Sequence, residues 1–164
     1  MRSGANARED EAAALEEEIA ETCGILNVAT GWLVSLIGRV LATESYAGSG
    51  IRSPEQWVAW KCGVSLGRAR SLVAMARRLR ELPETRSALE AGELAEDQVA
   101  VIVRHSPTHN DAEAATLARS ATVSQLKRTL GRSTFATAKA ECEPEPEPEE
   151  ARRVSFGFED DGSW

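Results

Sequence analysis

Between residues 53 and 83 the chain is punctuated in a way that leaves little choice of structure. Ser53-Pro54-Glu55-Gln56 is a helix start: a serine hydroxyl that can accept an orphan amide, proline at the first helical position, and acceptors early in the first turn. Gly63 ends the short helix that follows. Val64 and Ser65 then lead into a second helix from about Leu66 to Leu82, stopped by Pro83. The residues between these marks fit a helix-turn-helix template. Val58 and Cys62 would face inward, Ala59 is the small contact residue, and Gly63 takes the left-handed turn conformation. Val64 plugs the turn, while Ala69 and Leu72 anchor the second helix.

What this template leaves outside is basic. Ser65, Arg68, Arg70 and Ser71 lie near the start of the second helix, Arg77, Arg78 and Arg80 lie further along, and no acid occurs from Leu66 through Arg80. Arg70 and Arg77, seven residues apart, share nearly one helical face. Arginine grips a phosphate, or the edge of guanine, through two parallel hydrogen bonds. A helix entering a major groove offers its first residues to bases and its flanking arginines to phosphates. These seven residues are therefore the candidate DNA-binding set. The competing reading is a solvated face whose arginines pair with acids of the first helix.

Elsewhere the periodicity is also helical. A first helix from Glu9 presents an acidic face at Glu16, Glu17, Glu18 and Glu21. A second runs from Ile25 to Ser45, with Gly24 and Gly31 as weak points. Further helices are expected over Glu84 to Glu90, Glu96 to His105, Asp111 to Ser120 and Ser124 to Leu130. A second turn-like stretch, Ala88 to Leu94, is read as packing. The expected organisation is a frayed N-terminus over 1–8, a helical domain over 9–135 with the helix-turn-helix-like unit at 54–82, and a linker over 136–151. The alternating acids and prolines of Glu141 to Glu150 keep that linker extended. Val154, Phe156 and Phe158 alternate with polar or small residues before Asp160-Asp161-Gly162, the pattern of a strand that needs a partner. Residues 152–164 are therefore expected to open a truncated hairpin or a further domain.

Composition agrees with an all-α array. Apolar residues make up 42% of 164, enough for a core, with Ala and Leu prominent and aromatic residues at 5%. The net charge of −7 conceals a division: residues 51–140 hold 14 basic and 9 acidic side chains, whereas both ends are acidic. Screening confines each patch to about 8–10 Å, so the basic middle can still meet a polyanion. Cys23, Cys62 and Cys142 are unpaired in spacing, which indicates neither a disulfide framework nor a zinc site and suits a reducing cytoplasm. No leader pattern opens the chain, and its most apolar stretch, Trp32 to Leu41, is interrupted by Ser35, Gly38 and Arg39, so no membrane span is expected.

Motifs of catalysis are missing. His105 and His109 are separated by Pro107 and would not share a helical face as a metal pair, so no metal is expected. No phosphate-cradling glycine loop and no nucleophile elbow occurs, so no cofactor and no catalytic residue is expected either.

Taken in order, Gly50-Ile51-Arg52-Ser53-Pro54-Glu55-Gln56-Trp57, Gly63-Val64-Ser65, Ala74 through Pro83 and Ala88-Leu89-Glu90-Ala91-Gly92-Glu93-Leu94 resemble the actinobacterial 13E12 repeat family, a domain of unknown function. The resemblance covers roughly residues 20 to 164. It implies a helical domain that precedes an HNH endonuclease domain, and hence DNA as a partner. No HNH motif lies in these residues, so nuclease activity is not carried over. The expectation is a non-catalytic DNA-binding or substrate-positioning module, whose partners would be DNA, a missing C-terminal nuclease domain, or a second copy. The alternative is a protein–protein or dimerisation module without DNA affinity, marked by exposure of Trp32, Trp57 or Trp60.

Overall fold

The computed structural model describes residues 3–48 and 50–141, with side-chain environments for 8–48 and 50–132. Within them the fold is all-α. The helices are α1 (Ser3–Ala42), α2 (Pro54–Cys62), α3 (Leu66–Arg78), α4 (Pro83–Glu90), α5 (Glu96–His105), α6 (Asp111–Ser120) and α7 (Val123–Glu141), with a 3-10 turn at Thr108–Asn110. The strand expected at 152–158 lies outside the described residues.

α3 is the hub: it packs against α1, α2 and α5, while α4 bridges α1 to α6 and α5 meets α7. Ala69, Leu72, Val73, Met75 and Ala76 give α3 a buried stripe at helical spacing. Val34 and Ile37 meet it from α1, Val58 from α2, and Leu89, Val99, Ile102 and Leu126 complete an aliphatic core. Burial of such side chains supplies most of the driving force, at roughly 1.5–3 kcal/mol each.

The two N-terminal helices expected from the sequence are one. α1 runs unbroken for 40 residues, beginning inside the stretch expected to be frayed. Gly24 and Gly31 do not break it, and Gly31 is a point of close contact. A Cβ at Gly31 would sit 3.1 Å from the Leu89 carbonyl oxygen. Gly24 offers its own carbonyl to the turn at Gly92, close enough that only glycine fits there. At Gly31 the helix cost of glycine, about 1 kcal/mol, is offset by this close packing. By length and composition the stretch from Arg8 to Ala42 could cross a membrane, its best window having a mean hydropathy of 1.6 despite Ser35, Gly38 and Arg39. Its Val34 and Ile37 are nonetheless buried in the core, and Gly38 faces the Ala76 carbonyl.

α3 ends at Arg78, short of the expected Leu82, and Pro83 opens α4. α7 extends to Glu141, across the start of the stretch expected to be linker. Its Ala-rich end has no glycine or proline to stop it before Pro144.

Candidate nucleic-acid interface

α2 and α3 owe their mutual placement to three local devices. The Ser53 hydroxyl accepts the Gln56 amide, and the Gln56 side-chain oxygen accepts the Arg52 amide at 3.0 Å, a reciprocal cap on α2. Gly63 then adopts φ 64°, ψ 30°, the left-handed conformation that closes α2, with its amide and that of Val64 both donating to the Ala59 carbonyl. The Ser65 hydroxyl accepts the Arg68 amide and starts α3. Val58, Ala69 and Leu72 are buried as the template requires, while Ala59, Cys62 and Val64 are partly buried.

The arginines divide into two groups. Arg68 is half exposed and binds Glu96 of α5 through two nitrogens, the shortest contact being 2.7 Å. These hydrogen bonds, and then the charge of Glu96, raise its pKa above the ordinary arginine value. Arg77 lies 3.6 Å from Glu55 of α2. Arg78 donates to Glu81, to the Thr108 hydroxyl and to the Ser106 carbonyl, tying the end of α3 to the 3-10 turn. Arg70 and Arg80, by contrast, are exposed and have no hydrogen-bond or ion-pair partner among the described residues. None of these arginines meets Glu16, Glu17, Glu18 or Glu21, which are all exposed on α1.

Of the two candidate serines, Ser65 is engaged as a cap and Ser71 is partly buried beside Arg68 and Glu96. Arg70 shares an open cleft with Arg52, Ser53, Glu55, Gln56 and Leu66. Arg52 was absent from the candidate set because the sequence marks it only as one more cation before a helix cap. Its side chain too has no partner among the described residues, so the cleft brings together two guanidinium groups and the capped start of α2. Its one carboxylate, Glu55, is turned to Arg77. Nearby in sequence, the Lys61 ammonium stands 4.1 Å from the ring centroid of the exposed Trp60.

No three His, Cys, Asp or Glu side chains gather as metal ligands among the described residues. His105 ends α5 and His109 lies in the 3-10 turn. A buried acid, Asp111, was missed in sequence and serves the fold. It accepts the amides of Glu84 and Thr85 and the Thr85 hydroxyl, capping α4 from the start of α6. α4 has no side-chain cap of its own.

A family described as a domain of unknown function, DUF222, matches residues 16–153. No curated protein and no solved structure matches the chain.

Proposed function

The chain belongs to the DUF222 family, whose description assigns no activity, and we propose that it is a non-catalytic helical module that docks duplex DNA along the outer side of α2 and α3. The observation that carries this reading is the cleft in which Arg70 and Arg52 stand unpartnered among the described residues. Two guanidinium groups beside a helix N-terminus suit a phosphate, since the fork geometry and the helix dipole both favour an anion. Arg80 extends the positive surface. Arg68 and Arg77 pair with Glu96 and Glu55 of neighbouring helices and Arg78 ties the end of α3 to the 3-10 turn, and being partly exposed they can add long-range attraction. The place of such a module ahead of an HNH-type nuclease is what the resemblance to the 13E12 repeat family implies.

Fluorescence anisotropy with a labelled duplex tests the reading. Affinity at low salt should fall about tenfold in R52A/R70A, and the salt dependence should flatten by roughly two counterions. Arg68→Ala should change affinity less. Absence of binding at low salt, or binding indifferent to the double substitution, overturns it. Both side chains are exposed, so circular dichroism should confirm an unchanged fold.

A second reading, a protein-assembly module, is favoured by one observation: Trp32 and Trp60 are 66% and 67% exposed. Aromatic side chains of this kind anchor interfaces.

A further inference from the structure

α1 shows the core only one face, and only over part of its length. Every residue from Arg8 to Cys23 is exposed, so these sixteen residues of the 40-residue α1 leave the body without packing support. Helices are marginal in water without such support, and this one carries Leu15 and Ile19 on its surface. Further along, Ile25, Trp32 and Leu36 are exposed on α1 clear of its buried face, and Leu26 is exposed at the edge of a cleft it shares with Arg68, Ser71 and Glu96. These six side chains are 53–66% exposed.

Their spacing is ordered. From Leu15 the positions step alternately by four and three residues to Val40, apolar throughout except at Thr22, with Leu33 packed partly against the chain's own core. That is the seam of a two-helix coiled coil, with Ile25 and Trp32 widening it on one flank. The exposed side chains, each more than half accessible, would form the apolar centre of an interface of standard size, roughly 800 Å² per partner.

Charge along α1 selects the partner and its direction. Residues 9–21 hold seven acids, whereas no acid occurs from Thr22 to Thr43, where Arg39 is the charged residue. We infer that two copies of this chain associate through the outer faces of their first helices, packed antiparallel. An antiparallel pair centred on the stripe sets the acidic half of one copy, Glu16 included, along the acid-free half of the other, which carries Arg39. A parallel pair would stack fourteen carboxylates along one half of the seam, with like charges repelling at short range.

Sedimentation of the full chain without nucleic acid, from about 1 to 100 µM, reads the association. A dimer is expected, and W32E/L36E should be monomeric with unchanged helix content, because neither side chain is buried. Spin labels at Glu17→Cys, with Cys23, Cys62 and Cys142 changed to Ser, should lie about 30 Å apart or more across an antiparallel pair. A chain that stays monomeric, a dimer that survives W32E/L36E, capture by neutral phosphatidylcholine vesicles in place of dimerisation, or a label separation under about 20 Å would overturn the inference. The outcome is independent of the arginine cleft, which this experiment does not touch.

Discussion

Two turns in this fold are built alike and used differently. In each, an alanine carbonyl accepts an amide from the residue after a glycine four positions on: Ala59 from Val64 at Gly63, and Ala88 from Glu93 at Gly92. Both glycines have positive φ, 64° and 81°. At Gly63 the space beyond the turn is open, since a Cβ there would meet nothing within 4 Å. At Gly92 a Cβ would lie 2.8 Å from the Gly24 carbonyl oxygen and 2.9 Å from Val28, while the Asn27 side chain donates to the Gly92 carbonyl. The first turn leaves α2 and the outer face of α3 to solvent, and the second is a joint in the body of the domain. A helix–turn–helix geometry therefore marks an exposed surface only where nothing else packs on it.

The sharpest way to break the comparison is to give each turn a methyl group. Gly92→Ala should destabilise by about 3 kcal/mol, because backbone strain and a clash with α1 add. Gly63→Ala should cost about 1 kcal/mol from strain alone. Urea denaturation followed by circular dichroism measures both, and equal losses would remove the distinction.

The caps carry the same contrast at smaller scale. Asp111→Ala orphans two buried or half-buried amides of α4 and should cost about 2 kcal/mol, against about 1 kcal/mol for Ser65→Ala at the open turn. Thermal melts of the two variants rank them.

Smallest of all should be Arg68→Ala. Its ion pair with Glu96 is half exposed and should be worth under about 0.5 kcal/mol. A loss of several times that would make Arg68 a structural residue of the α3–α5 contact.

Much of the helical inventory could be read in advance, because punctuation and apolar period are local. Ser53-Pro54, Gly63, Ser65 and Pro83 mark their helix ends through hydrogen-bonding and φ preferences that need no distant partner. Gly24 and Gly31 misled for the same reason. Taken locally they weaken a helix, and only the approach of Leu89 shows why glycine stands at position 31, whereas a Cβ at Gly24 would meet nothing within 4 Å. The arginine face was legible as a row of charges, but its division was not. Glu96 lies 28 residues from Arg68 and Glu55 lies 22 from Arg77, so which cations remained unpaired depended on how α5 and α2 pack against α3.

From its sequence alone this chain was bound to form helices around an aliphatic core, since residue volumes, periodicities and caps act over a few positions. Tertiary structure decided which glycines became joints, which guanidinium groups lost their freedom to neighbouring carboxylates, and which face of α1 stayed bare. Those outcomes turn on contacts of a few ångströms between segments far apart in the chain, and no local preference encodes them.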